Sequence, residues 1–549
     1  MRIDRIGSLL AVAASALVLA ACGSSGEDGK TGTGGGGAAA DEVGATIDAQ
    51  GPYDAGATFT LALGVKPDSL DPLKTLNDAS VTVMHYVYDY LATVDADGRL
   101  VPGIAESWEE SPREVTFTLK DGVTCADGSA VTATTVKRNL DAVKDPKLSA
   151  VLLGLAVPGA DYRVTSDDAA RTVTIRMREP FALLVPSLQL LPIVCGRGLD
   201  DRSLLDQGTS GSGPYVLKRA VPGDHYELTR RDGYAWGPEG TDADVDERPA
   251  TIRVRIVSNP TTAANLMLSG ELTAAPVNAA DGKRLTQAGI PSARFPSTTA
   301  FTLFNQEEGR PAADPAVRRA LTMAMPREPL ARVLYNGVGT VADGFLASKM
   351  ACDDAGTSAA LPSGDAAAAA RALDDAGWAE GSGGIRSKDG KPLRMQIVYA
   401  NDVAGADAGV ELLAAAWKEL GVQPVLKPMA ADAAIAAAFG GDWDVLPTFE
   451  IGVNLPSQLL PFVTGPAPDR GQNFPHVSNA RYEQLSAQAM AKTGEAGCKL
   501  WNEADRALAE QGDVIPLVRV PMIYFAQKET AMALNSFGPI PTSIRIARG

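Results

Sequence analysis

Apolar and polar positions alternate with a period of two over several short stretches. The alternation predicts strands at 58–63 (TFTLAL), 115–119, 171–177, 213–218 and 225–230. In 251–257, Ile252, Val254 and Ile256 face one way while arginines face the other. The interior of 300–305 is a further strand. Val81, Met84, Tyr88 and Leu91 instead recur at helical spacing and share one face. Beyond residue 305 the helical period dominates. Helices are predicted at 315–325, 365–376, 408–420, 431–439, 480–492 and 499–511, with strands 393–399 and 422–427 among them. Strands interleaved with helices mean α/β organisation, here in two lobes that change over near residue 305. No repeat of solenoid length is present.

Turn and cap residues agree with these periods. Asp314-Pro315 supplies an N-cap and a first-turn proline, and Gly377 is a helix stop. Asp121-Gly122 and Asp127-Gly128 are turn pairs suited to positive φ. Gly211 and Gly213 permit close backbone approach before the strand at Tyr215; no helix follows, so this is no dinucleotide fingerprint. Pro326 is expected to end the 315–325 helix.

The N-terminus has a different pattern. Arg2 and Arg5 precede an uncharged, mostly apolar run, Ile6 to Ala21, of 16 residues. That is short for a membrane span, which needs about 20 residues, and fits a signal-peptide core over residues 1–21. Leu19-Ala20-Ala21-Cys22 resembles the lipobox of bacterial lipoproteins. The resemblance implies a lipid on Cys22, cleavage before it, and anchorage to the outer face of the cell membrane. Residues 22–57 open on a Gly-rich stretch with no large apolar side chain before Val43, and form a flexible tether. Gly29-Lys30-Thr31 is no phosphate loop, because Ser24 stands where its first glycine belongs.

Composition narrows the function. The body is too long for one core and calls for two or three domains. The net charge is −16 with no basic stripe, which argues against nucleic acid. The three histidines, His85, His225 and His476, lie far apart without metal spacing, and no hydrolase motif occurs, so neither metal, cofactor nor enzymatic activity is expected.

A series of segments resembles the extracellular solute-binding proteins of ATP-binding cassette importers, in the group for peptides, nickel complexes and related solutes. They are SLDPL (69–73), the stretch 88–133 containing LVPGIAESWEE and TLKDGVTCADG, GSGPYVLKR (211–219), FTLFNQ, DPAVRRALTMAMPREPLARVLYNGVG (314–339), ALDDAGW (372–378) and VIPLV (514–518). The resemblance implies a two-lobed clamshell of the periplasmic-binding-protein type II, with an extra subdomain in the first lobe. Lobe I would hold 58–305 and 515–549, with the subdomain at about 75–206; lobe II would hold 306–514. The chain crosses near Asn305 and Pro516. A small solute, peptide or peptide-like, is gripped between the lobes of a monomer and delivered to permease subunits.

In peptide-binding members an acid shortly after a tyrosine-aspartate strand meets the peptide's ammonium. Here that strand is Trp443-Asp444-Val445-Leu446; Val453 and Asn454 stand where the acid belongs, and Glu450 is the only acid nearby. Either Glu450 substitutes, or the solute lacks an ammonium at that place. Expected cleft residues are Lys66, Asn305, Trp443, Phe449, Glu450, Asn454 and Arg519. Four cysteines besides Cys22 allow three pairings; Cys125 with Cys195 and Cys352 with Cys498 would keep each pair inside one lobe. The alternatives to transport are a sensor lipoprotein signalling to a partner and a lipoprotein hydrolase.

Overall fold

The strand Thr58–Leu63 buries Phe59, Leu61 and Leu63. It pairs in parallel with Thr251–Ile256 along its whole length and with Ala274–Pro276 at Leu61. Parallel neighbours require crossovers, and the helix Pro260–Leu268 supplies the one from Thr251–Ile256 to Ala274–Pro276. These coordinates are a computed structural model, which describes residues 44–548 apart from 207, 209, 239–245, 278, 348, 349 and 382. The signal sequence, Cys22 and the tether up to residue 43 lie outside the described residues.

An 11-stranded mixed sheet organises the chain. Its centre is a pair of long antiparallel strands, Ser292–Phe304 and Val514–Ala526. On one flank lie Ala274–Pro276, Thr58–Leu63, Thr251–Ile256, His225–Arg230 and Tyr215–Val221; on the other, Val445–Ile451, Arg394–Ala400 and Gln423–Met429. Each flank with its helices is one lobe of a two-lobed α/β fold, and the long strands pass between them. Register shifts at Pro296/Thr298 and Ala300/Phe301 fall in mid-strand, around Thr299, where pairing with Val445–Ile451 begins.

A separate four-stranded antiparallel sheet, ordered Ala105–Ser111, Glu114–Leu119, Thr172–Met177, Tyr162–Asp167, forms within the segment expected as a subdomain. Trp108 stands opposite Phe117, and their rings are 6.3 Å apart. The helix Ala133–Val143 covers this sheet through Val136 and Leu140.

Most predicted elements are present with shifted ends. The 81–91 spacing belongs to the helix Asp78–Val87, which Tyr88 caps, so Leu91 lies beyond it. Pro326 does not end a helix: Pro315–Met323 has already stopped, and Pro326 starts Arg327–Val333. The strand expected at 300–305 begins at Ser292, hidden behind Arg294 and Pro296. Ala105–Ser111 was not predicted, because five of its seven residues are exposed and no alternation survives.

Gly213 has a steric reason. A β-carbon there would lie 2.6 Å from the carbonyl carbon of Val87, whose oxygen accepts the Gly213 N–H at 3.1 Å. Cys125 is bonded to Cys195 and Cys352 to Cys498, with Cα separations of 6.0 and 5.4 Å.

Candidate functional site

In open α/β sheets, ligands collect beyond the carboxyl ends of the strands. Thr58–Leu63, Thr251–Ile256 and Ala274–Pro276 all run out into one cavity of about 350 Å³, lined there by Ala62, Gly64, Val257 and Val277. Tyr335, Val338 and Ala404 close it from the other lobe, and residues 520–523 of the second long strand form its floor. The walls are almost entirely apolar.

Tyr335 is the polar group on the second-lobe side. It is buried and has φ 54°, and Asn336 follows at φ 53°. Two consecutive non-glycine residues in the left-handed region mark stored strain. The turn is held by the Tyr335 N–H, which donates to the Ala404 carbonyl at 2.7 Å. It directs the Tyr335 hydroxyl to Glu450 Oε1 at 2.9 Å, while Thr298 donates to Oε2 at 3.4 Å. Solvent reaches Glu450, yet protein crowds it as in a cleft. Desolvation raises its carboxyl above the ordinary value, and the bonds from Tyr335 and Thr298 offset part of that rise.

Glu450 itself lines a second cavity, of about 210 Å³. That space lies at the carboxyl ends of Arg394–Ala400 and Val445–Ile451 and is walled by Tyr399, Ile435 and Phe449. The Tyr335–Glu450 bond therefore stands between two apolar chambers, with the carboxylate at the divide.

Of the expected cleft residues, Phe449 and Glu450 line this second chamber. Lys66 is exposed, two residues past Gly64 at the rim of the first chamber. Asn454 is half-buried in the turn after Val445–Ile451, where its N–H donates to Gln458 Oε1 at 2.8 Å. Arg519 precedes the floor residues; it is tied to Asp343 at 2.7 Å and to the Leu346 carbonyl at 3.0 Å. Asn305 and Trp443 are core instead. The Asn305 amide donates to the carbonyls of Gly441 and Trp443 and accepts from the Glu307 N–H, and the Trp443 indole donates to the Ala438 carbonyl at 2.8 Å. Both side chains are wholly buried. Sequence reasoning missed Tyr335 and Thr298. The Asn336-Gly337 pair was a visible turn signal for the first; nothing local marks the second. Among the described residues no cluster of three or more metal-ligating side chains occurs.

Comparison with known proteins agrees with this architecture. The model of the bacterial extracellular solute-binding proteins, family 5, matches residues 99–457. Protein XP55 of Streptomyces lividans is 27% identical over 513 residues, covering 86% of this chain and 85% of its own. The periplasmic murein peptide-binding protein MppA of Escherichia coli (strain K12) is 24% identical over 493 residues, covering 82% and 86%. A substrate-binding protein from Microbacterium hydrocarbonoxydans, solved with 4-hydroxybenzoate hydrazide, superposes with a TM-score of 0.69 at 28% identity, covering 89% of this chain and 100% of that one. The match spans most of the chain and both flanks of the central sheet, and the protein belongs to the bacterial extracellular solute-binding proteins of family 5.

Proposed function

We propose that this protein is the lipid-anchored receptor of an ATP-binding cassette importer, and that it takes a compact solute with an apolar body and a cationic or N–H-rich end. The carrying observation is the cavity of about 350 Å³ bounded by both lobes, with Tyr335 in its wall and Glu450, bonded to the Tyr335 hydroxyl, lining the adjoining chamber of about 210 Å³. Its volume lies near the lower end for small-molecule sites, which favours a single ring or a very short peptide over a long one. An ammonium or hydrazide at Glu450 would replace water around a carboxylate already partly desolvated. The solutes named for two relatives are compatible with this: murein peptide for MppA and 4-hydroxybenzoate hydrazide for the Microbacterium protein.

Closure follows from differential contact. A guest in this cavity touches both lobes only when they are shut, so its binding energy favours the shut state. One further contact links the two parts away from the cavity: the Ala182 N–H donates to the Met490 carbonyl at 3.0 Å. In this reading the lobes are 58–305 with 515–549, and 306–514. Cys22 holds the protein at the outer face of the cell membrane, and the shut form meets permease subunits there.

The test is native mass spectrometry of the protein purified from its host, followed by calorimetry with the released solute, 4-hydroxybenzoate hydrazide and short peptides. We expect one compact solute per chain and weakened binding in Tyr335→Phe. A guest whose affinity is indifferent to Tyr335 and Glu450 would overturn the assignment of the cleft. Cys22→Ser is expected to release the protein from membranes; retention would overturn the anchor.

A further inference from the structure

A third cavity, of about 240 Å³, lies in the first lobe and shares no lining residue with either chamber of the cleft. Its walls come from the end of the helix Asp78–Val87, the segment after it, and the C-terminal residues 535–543. Tyr90 forms one side. Its ring stacks on Phe537 with centroids 5.5 Å apart and planes 6° from parallel, and His85 tilts against the same Phe537 at 5.3 Å. Val94, Val101 and Ile540 supply further apolar wall, and Thr93, Asn535, Thr542 and Ser543 polar edges.

Two polar side chains here lack partners. Tyr90 is 4% exposed, and its hydroxyl makes no hydrogen bond among the described residues but, unlike the His85 nitrogens, is not sealed from solvent; burial of the ring keeps it protonated. His85 is 7% exposed, and neither ring nitrogen has a protein partner; burial lowers its pKa to about 3, so the imidazole is neutral. Buried polar groups without partners are costly and rare. The neighbouring Asp89 is different. Its carboxylate accepts from Tyr234, Ser212 and Trp236 at 2.8, 2.8 and 2.9 Å, and so has donors enough of its own. Asp95 is likewise engaged by Arg99.

We infer that this cavity is a second ligand site, for a neutral single-ring molecule carrying one hydrogen-bonding substituent, such as a phenol or aryl amide. The aromatic wall selects a planar ring. The carboxylate of Asp89, with no unpaired cation beside it in the lining, disfavours an anion. The Tyr90 hydroxyl has no protein partner to lose and exchanges solvent for the guest's polar group. The size fits, since an apolar cavity of about 150 Å³ already admits benzene.

The experiment uses the mature chain and 4-fluorophenol, followed by fluorine NMR and thermal unfolding. The parent is expected to bind saturably and to unfold at a higher temperature as the probe is added. Tyr90→Phe keeps the stack and removes the hydroxyl; binding should weaken at least tenfold with the fold intact. His85→Phe should weaken the probe as well, yet raise the melting temperature of the unliganded protein, since it removes unpartnered nitrogens. Val101→Trp, which fills the space, should abolish binding. Glu450→Gln and Tyr335→Phe, in the cleft, should leave probe binding unchanged. The inference is overturned if the parent shows no saturable binding, if Tyr90→Phe and Val101→Trp bind like the parent, or if Glu450→Gln abolishes it. In the last case the probe sits in the cleft, and the proposed transport function is untouched.

Discussion

Asp513→Asn tests what holds the root of the second long strand. Asp513 immediately precedes Val514 and is 3% exposed at its side chain. Its Oδ1 accepts from Arg318 Nη2 at 2.8 Å and its Oδ2 from Asn479 Nδ2 at 2.8 Å. Arg318 is 5% exposed and also donates to the Ala312 carbonyl at 2.8 Å; Asn479 caps the helix Ala480–Ala489. One buried carboxylate therefore ties two helices to the hinge. An asparagine there keeps the shape and leaves the guanidinium as an unpaired buried charge. Removing one partner of such a pair costs about 3–5 kcal/mol. Asp314 is the other acid acting on Arg318, so we expect about 3 kcal/mol. Urea unfolding should show a lowered midpoint with an unchanged slope. The double variant Arg318→Met, Asp513→Asn removes both charges and should recover most of the loss. A single variant within about 1 kcal/mol of the parent, or a double variant no more stable than the single, would refute the reasoning.

Glu450→Gln should flatten the pH dependence of binding for a cationic guest. The raised carboxyl must ionise to pair with it, so parent affinity falls as pH drops through that raised pKa. For the empty protein the sign is opposite. A carboxyl raised on folding contributes stability below its unfolded pKa of about 4.3 and loses it as pH rises through the folded value. The variant's melting temperature at pH 7 should therefore equal or exceed the parent's. Gly213→Ala should cost about 1–3 kcal/mol, because the new β-carbon meets backbone, whereas Gly159→Ala, with nothing within 4 Å, should stay within about 0.5 kcal/mol in the same thermal assay. Replacing Cys352 and Cys498 by serine opens a link across 146 positions; unfolding without reductant should show a loss of about 2–5 kcal/mol.

The parts of the fold that could be read from sequence are those that one local period specifies. Thr251–Ile256 alternates because Ile252 and Val254 are buried while Arg253 is not, and Thr58–Leu63 alternates over its first four residues before Ala62 joins the buried side. Gly211 and Gly213 could be read as a paired glycine signal before a strand, although the backbone they make room for, at Val87 and Tyr88, lies far away along the chain. Ala105–Ser111 could not, because its sheet turns one face to water and the strand shows only Ala105 fully inside. Ser292–Phe304 was half legible for a related reason. Its C-terminal half is buried on both sides and reads as apolar, while its N-terminal half carries Arg294 and Pro296 through the crossing.

The cleft was less legible than the fold, and the misplaced residues say why. Asn305 and Trp443 were chosen for lying near a crossing and on the strand before the expected acid, where polar and aromatic side chains often meet ligand. Register decides otherwise. Asn305 N–H donates to the Asp444 carbonyl, and that pairing turns the Asn305 amide back onto Gly441 and Trp443. Glu450 could be found because it is the only acid in its stretch. Its partners could not, since Thr298 comes from a strand 152 positions away and Tyr335 from a turn 115 positions away. What positions Tyr335 is a backbone in the left-handed region at two successive residues. That strain is held by the Ala404 carbonyl on another segment, so no window along the chain contains both the strain and its support. The chemistry of the cleft thus depends on contacts between distant segments, and substitutions at residue 404 or 336 should disturb the carboxylate without touching it.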